Sequence, residues 1–303
     1  MDINSLQAAK PSTERLKAVI FLVMTAVLWS MGGMLIKLAS CNSLAVAGAR
    51  SAIAALMIMA YMRKPKIKWT PAFVGGTIAY AATVILFVTA TKLTTAANAI
   101  LLQYTAPVFV AVLGIWILKE KTSIKDWITV LIVLSGMVLF FIDDISKGGF
   151  AANKQAVAGN IIAILSGVAF AFLIIFMRMQ KHEAPINSVF AGNILTAVIG
   201  LPFMIGDVPD AKGIFALVTL GVLQLGLSYI LYSVAIKHVT AIEAAIIPVI
   251  EPILNPIWVL LTIGEMPGHW AIIGGLVVLT AITFHSLVSI FMSKSNAREA
   301  VDI

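Results

Sequence analysis

The sequence is poor in charge, in cysteine and in histidine. Only 12% of its 303 residues are charged, against about 25% in an ordinary soluble domain. The single cysteine, Cys41, excludes an intramolecular disulfide framework and a metal site built from several cysteines. The four histidines are scattered, without the spacing of metal ligands. We therefore expect no metal ion, and the absence of a nucleotide-binding motif predicts no other cofactor.

Positive charge nevertheless exceeds negative charge, and the net charge is +7. A nucleic-acid-binding protein would carry that excess on one face of a soluble domain, but no polar segment here is long enough to form one. When the N-terminus is placed in the cytoplasm, 15 of the 21 Lys and Arg residues fall on the cytoplasmic side. We expect a multi-pass protein of the cell (inner) membrane with both termini in the cytoplasm and no nucleic-acid partner.

Apolar residues are abundant: 60% of the chain is hydrophobic and the mean hydropathy is +1.02. A helix that crosses a bilayer needs about 20 apolar residues, and ten runs of about that length are separated by short linkers. This pattern predicts an all-α integral membrane protein with ten transmembrane helices. The runs cover approximately 16–39, 43–62, 71–91, 94–118, 126–142, 157–179, 186–205, 213–236, 240–263 and 269–291.

The second half of the sequence repeats features of the first half. A shift of 145 residues aligns Pro107 with Pro252 and Glu120 with Glu265. This distance contains five helices, so the second copy would enter the membrane from the opposite side. Inverted repeats are typical of secondary transporters, whose substrates bind where the repeats meet. The expected units are a tail at 1–15, five-helix repeats at 16–145 and 157–291, and a tail at 292–303.

Short motifs at matching places in the two halves indicate a family. With them, the chain resembles the ten-helix family of the drug/metabolite transporter superfamily, in which each half is called an EamA domain. The resemblance implies export or import of amino acids, other small metabolites or drugs, chiefly across the bacterial inner membrane. The motifs are Trp29-Ser30 with Lys37, Ala96 through Ala111 closed by Lys119-Glu120, and Ala244 through Pro252 closed by Gly264-Glu265.

Glu251 is the first candidate for a residue that takes part in transport. It stands in the middle of the ninth run between Pro248 and Pro252, and Pro256 follows. Prolines remove backbone donors and break a helix, and freed carbonyls at membrane depth are tolerated where they face protein or a wet cavity. A carboxylate there can bind a proton or a substrate ammonium group. The alternative is a structural carboxyl that accepts hydrogen bonds from free amides around the prolines.

Polar and aromatic side chains on other runs complete the predicted site. Steps of three and four residues share a helix face, which links Glu251 to Asn255 and Gln224 to Ser228. Such polar stripes either line a cavity or join helices through hydrogen bonds. Arg50 either extends its charge to the membrane surface or binds an anionic substrate. The candidate substrate-binding or coupling residues are Trp29, Ser30, Tyr80, Gln103, Tyr104, Gln224, Ser228, Glu251 and Asn255.

Three classes of membrane protein were weighed for such a chain: a transporter, an enzyme and a channel. The first is a secondary transporter that exports a small amphipathic metabolite (an amino acid, a derivative or a drug-like compound) by alternating access, with a proton as coupling ion. A passive facilitator or an uptake permease is its close alternative. A membrane-embedded enzyme requires a nucleophile, an acid–base pair or a metal set, and a channel requires a repeated polar filter; neither pattern is found. The expected protein is not an enzyme, and is a monomer or homodimer in the bilayer.

Overall fold

The regular structure of the chain is helical wherever the structure describes it. The computed structural model describes residues 13–63, 67–119 and 154–266, most of 268–284, and isolated positions at 65 and between 124 and 139. Within these residues, eight helices are long and apolar enough to cross a membrane, which confirms the predicted all-α membrane fold. They are α1 (Thr13–Leu38), α2 (Ser43–Met62), α3 (Pro71–Leu93), α4 (Ala96–Ile117), α5 (Lys154–Met179), α6 (Ile186–Met204), α7 (Ala211–Ala235) and α8 (Ala241–Ile263).

These eight helices correspond to eight of the ten predicted runs, with ends that agree within a few residues. The predicted fifth run, 126–142, lies mostly outside the described residues. The predicted tenth run, 269–291, is described in part and contains a shorter apolar helix, α9 (Ile272–Ala281).

Five of the helices begin with a polar N-cap residue. Each accepts a hydrogen bond from a backbone N–H in the first turn, which satisfies a donor that has no partner within the helix. The start of α8 has a complete capping box, because Glu243 also accepts a hydrogen bond from the backbone N–H of Thr240 at 2.8 Å. The five capping residues are Asn42, Thr70, Thr95, Asp210 and Thr240.

Four of the long helices are not regular along their whole length. Helix α1 is interrupted at Met31, and α4 contains a turn at Tyr104 and Thr105. Helix α7 adopts π-helical geometry over Leu220–Leu227, and α8 contains a 3₁₀ turn over Ile247–Val249. Proline accounts for the last of these, because Pro248 has no N–H to continue the α-helical ladder. The irregular helices are the ones that carry most of the predicted site residues.

Glycine allows neighbouring helices to approach closely, as is common in membrane bundles. At the crossing of α2 and α6, a Cβ atom added to Gly200 would lie 2.6 Å from the Cα atom of Gly48. At the crossing of α2 and α7, a Cβ atom added to Gly221 would lie 2.5 Å from the Cβ atom of Ile53. These contacts leave no room for a larger residue, and they bring α2 and α7 together beside the cavity described below.

The outer surface of the bundle is apolar. Leu56, Val198 and Leu261 are 63%, 61% and 72% exposed, although each lies within a long helix. A soluble monomer rarely leaves apolar residues in broad contiguous patches. This surface is therefore the one that contacts lipid.

Candidate functional site

A small cavity lies between helices from both ends of the chain. Its volume is about 30 Å³, which is enough for about one water molecule. Charged, polar and aromatic side chains all contribute to its wall, so it is chemically unlike the apolar interior around it. It is lined by Trp29, Arg50, Thr83, Val84, Phe87, Gln103, Phe170, Gln224, Leu225, Tyr229 and Glu251.

Glu251 enters the cavity from α8, directly after the 3₁₀ turn. Its side chain is buried, and its Oε2 atom accepts a hydrogen bond of 3.2 Å from the hydroxyl of Tyr104 on α4. The single proton of this hydroxyl is shared with the backbone carbonyl of Pro248, which the broken helix leaves free, so the two acceptors take part in one three-centre hydrogen bond. Among the described residues, Glu251 has no cationic partner. A phenol therefore holds the carboxyl in place and leaves its charge uncompensated.

Arg50 lines another part of the cavity from α2. Its Nη1 atom donates a hydrogen bond of 3.1 Å to Oε1 of Gln224, which lies in the π-helical part of α7. The close approach at Gly221 explains this contact, because Gln224 is less than one helical turn further along. The Nε atom of Arg50 is buried and has no hydrogen-bond partner among the described residues.

Aromatic rings form one wall of the cavity. The ring of Trp29 lies 5.6 Å from that of Phe170, 5.1 Å from that of Tyr229 and 5.2 Å from that of Tyr232, measured between centroids. These separations are typical of favourable aromatic contacts. The Nε1 atom of Trp29 is buried and finds no acceptor in the described part of the chain. The wall thus combines apolar faces with a free donor.

The structure brings most of the predicted residues together. Trp29, Gln103, Gln224 and Glu251 line the cavity, and Tyr104 reaches it through its hydrogen bond to Glu251. Gln103 is fixed in turn, because its Nε2 atom donates to Ser166 at 2.8 Å.

Tyr80 lies one ring further from the cavity. It packs against the cavity residue Tyr229 with the ring centroids 4.9 Å apart, and it is fully buried.

The remaining three predicted residues also lie outside the cavity wall. Ser30 accepts a hydrogen bond of 3.1 Å from Nε1 of Trp258, and Ser228 donates to the backbone carbonyl of Gln224. Asn255 is fully buried against Gly33 of α1. The bonds of Ser30 and Ser228 join or stabilise helices, whereas the side-chain amide of Asn255 has no hydrogen-bond partner among the described residues.

Tyr229 was missed by the sequence analysis, although it lines the cavity and contacts Trp29 and Tyr80. The predicted link between Gln224 and Ser228 assumes α-helical spacing, in which residues four apart share a face. In a π-helix the repeating bond joins residues five apart. Gln224 and Tyr229 are five apart, and both line the cavity. Gly221 and Gly226, which allow close packing in this segment, were the available signal that α7 is unusual.

Comparison with known proteins gives consistent matches. The model of the EamA-like transporter family matches residues 16–142 and again 157–287. The uncharacterized transporter YdfC of Bacillus subtilis is 26% identical over 241 residues, which cover 78% of each protein. An uncharacterized transporter of Clostridium kluyveri is 24% identical over 274 residues, covering 82% of this chain and 86% of the relative.

A solved crystal structure has the same fold. It superposes with a TM-score of 0.70 and 17% sequence identity, and the match covers 91% of this chain and 98% of the other.

Proposed function

Because the chain belongs to the EamA-like transporter family, we propose that it is a secondary transporter that exports a small amphipathic metabolite by alternating access. Its membrane fold and its relatives, which are named as transporters, make it a membrane transporter. The substrate (an amino acid, a derivative or a drug-like compound), the outward direction and a proton as coupling ion are the proposed refinements. We also propose the cell membrane as its location, with both termini in the cytoplasm, from the distribution of Lys and Arg.

An inverted duplication is part of the proposal, and two hydrogen-bonded pairs support it. Arg15 donates to Glu243 at 2.6 Å, where the starts of α1 and α8 meet. Asn98 donates to Asn160 at 3.3 Å, where α4 and α5 begin. A shift of 145 residues relates Asn98 to Glu243. The shift of 141 that pairs Trp29 with Phe170 relates Arg15 to Ala156, which lies about one helical turn from Asn160. The two pairs thus join equivalent regions with the halves exchanged, which is expected of a twofold relation between inverted repeats.

The aromatic wall supports the same relation. Trp29 and Phe170 occupy equivalent places in the two halves at a shift of 141 residues, and their rings are in contact. Two positions related by a twofold axis touch each other only near that axis. The cavity that both residues line therefore lies where the proposed repeats meet, the usual place of a transporter's substrate site.

The observation that carries the proposal is Glu251, a buried carboxyl at a helix break in this cavity. Ionisable residues inside a membrane are costly, and by default they mark substrate or ion pathways. Burying a carboxylate without a paired charge is especially unfavourable. An exchangeable cation, either a proton or an ammonium group of the substrate, would supply the missing charge.

The small size of the cavity is consistent with alternating access. A volume of about 30 Å³ is too small for a metabolite, so a substrate can enter only after helices move apart. No nucleotide-binding motif is present in the sequence, which makes an ion gradient or the substrate's own gradient the proposed source of energy.

The test compares metabolites in medium and cytoplasm of cells that express the wild type, Glu251→Gln or an empty vector at matched protein levels. Glu243→Gln is the matched control, because Glu243 is on the same helix but pairs with Arg15 outside the cavity. We expect one class of solute to move outward with the wild type and with Glu243→Gln, and much less with Glu251→Gln.

Other outcomes would change the proposal in defined ways. Equal export by Glu251→Gln would leave a transporter in which Glu251 is structural. Movement that follows the solute gradient and ignores an imposed pH gradient would favour a passive facilitator, and inward movement would favour an uptake permease. A flat profile for the wild type in both directions would contradict the transport function.

A further inference from the structure

Two residues of opposite charge line the cavity without pairing with each other. Arg50 is 1% exposed and Glu251 is 5% exposed, and both belong to the cavity wall. Neither forms part of an ion pair among the described residues. Each of the two charges alone is expensive to bury. Their presence in one cavity is explained if a ligand carries a complementary charge for each.

The hydrogen-bonding groups of Arg50 and Glu251 also match a ligand that carries two opposite charges. An arginine side chain has five N–H donors and remains positively charged at neutral pH. Gln224 occupies one donor of Arg50, and the buried Nε atom is free among the described residues. The buried Nε1 atom of Trp29 is a second free donor on the same cavity. Glu251 offers the opposite chemistry, since a carboxylate only accepts hydrogen bonds.

Different helices position the two charged groups. Tyr104 of α4 binds the carboxyl of Glu251, while Gln224 of α7 binds the guanidinium of Arg50. Each charge therefore has a neutral partner that positions it and does not cancel it. An anionic group would bind at Arg50 and a cationic group at Glu251.

We propose that Arg50 is a specificity-determining residue that, together with Glu251, selects zwitterionic substrates. This inference rests on the proposed transport function and narrows its substrate class. A singly charged amine leaves Arg50 uncompensated, and a singly charged acid gives Glu251 no ammonium group, so that Glu251 has to take up a proton instead. A site built to bind a polar group strongly rejects an analogue that lacks it. Gln224 is a positioning residue, because it orients the guanidinium of Arg50.

The test measures ligand-induced thermal stabilisation of the purified full-length protein in detergent, since a ligand of the folded state raises Tm. The probes are matched sets with one side chain each: L-leucine, 3-methylbutylamine and 4-methylpentanoate, and the equivalent sets for the other apolar and aromatic amino acids. For the wild type, we expect at least one zwitterion to act at a concentration about tenfold lower than its amine and its acid.

The variants assign the two charges to their residues. Arg50→Gln should remove the preference for the zwitterion over the amine, and Glu251→Gln the preference over the acid. Arg50→Lys keeps the charge and should retain a weaker preference, which controls for misfolding. Arg178→Gln is the matched control, because Arg178 bonds to backbone carbonyls at the end of α5 and does not line the cavity.

Three results would overturn the inference: an amine or acid as effective as its zwitterion, an unchanged preference in Arg50→Gln, or no wild-type stabilisation by any zwitterion. Transport itself is judged separately by the metabolite profile. Export of a neutral or singly charged solute would refute zwitterion selection while the transport function stands.

Discussion

Helix α4 departs from α-helical geometry at Tyr104, where ψ is 14°, and α8 departs from it at Pro248, where ψ is 21°. The two positions are within one residue of each other under the shift of 145, and the Tyr104 hydroxyl donates to the Pro248 carbonyl. The shapes are thus alike, but only α8 carries a carboxyl at the break. The same local break in the helix therefore serves two chemical roles: α4 supplies a neutral hydrogen-bond donor and α8 supplies the carboxyl.

The first turns of α4 and α8 differ in the same way, since one carries a neutral side chain where the other carries a charge. Thr95 caps α4 through the N–H of Asn98, and Thr240 caps α8 through the N–H of Glu243. Asn98 bonds to a neutral asparagine, whereas Glu243 bonds to Arg15. At the helix start and at the break alike, the charged side chain belongs to α8.

The largest expected loss of stability comes from replacing glycines in the helices that pack near the two breaks. Alanine at Gly167 of α5 would place Cβ 2.7 Å from the backbone carbonyl oxygen of Gln103, which has little freedom to move. Alanine at Gly33 of α1 would meet the side chain of Asn255 at 2.4 Å, and that side chain can rotate. We expect Gly167→Ala to lower the free energy of unfolding by about 3 kcal/mol and Gly33→Ala by about 1 kcal/mol. Unfolding of the two variants in detergent measures both free energies. Equal losses would show that it makes no difference whether the added Cβ atom meets backbone or a side chain that can rotate.

A smaller effect is expected from Tyr104→Phe, which removes the bond between the two breaks. Without the hydroxyl, the carboxyl of Glu251 and the carbonyl of Pro248 lose this donor while buried. Such a loss costs about 2 kcal/mol, and substrate export should fall as well. Tyr61→Phe is the control, since Tyr61 is exposed on α2. Equal Tm values for the two variants would show that the contact between the breaks contributes nothing.

The smallest effect should come from the helix caps. Thr95→Ala removes one hydrogen bond, whereas Thr240→Ala also disrupts the capping box with Glu243. We expect losses of about 1 kcal/mol for Thr95→Ala and about 1.5 kcal/mol for Thr240→Ala. In a Glu243→Ala background the difference should shrink, because no side chain is left to complete the capping box, and an unchanged difference would mean that the side chain of Glu243 has no part in it. Thermal unfolding of the single and double variants measures this.

Much of the fold was predictable, because long apolar runs have one stable solution in a bilayer. An isolated segment satisfies its own backbone there only as a helix, so eight runs could be located from hydropathy alone. The prolines around Glu251 also predicted the break in α8. The interruption of α1 at Met31 was not predicted, because no proline or other strong signal precedes it.

The candidate site was less predictable, because it depends on contacts between distant helices. The sequence singled out Glu251 and Tyr104, but it did not indicate that one binds the other. Ser30 and Asn255 have polar side chains, yet close packing places them against other helices. The hydroxyl of Ser228 bonds to a backbone carbonyl of its own helix. For Arg50 the sequence left two interpretations open, a charge that extends to the membrane surface and a ligand for an anionic substrate, because sequence gives no measure of burial for a long cationic side chain.

The π-helical stretch of α7 has a consequence for the history of this protein. A π turn holds more residues than an α turn, so the stretch over Leu220–Leu227 accommodates an additional residue within the same crossing. Insertion of a single codon is enough to bring Tyr229 into line with Gln224, without a change in either side chain.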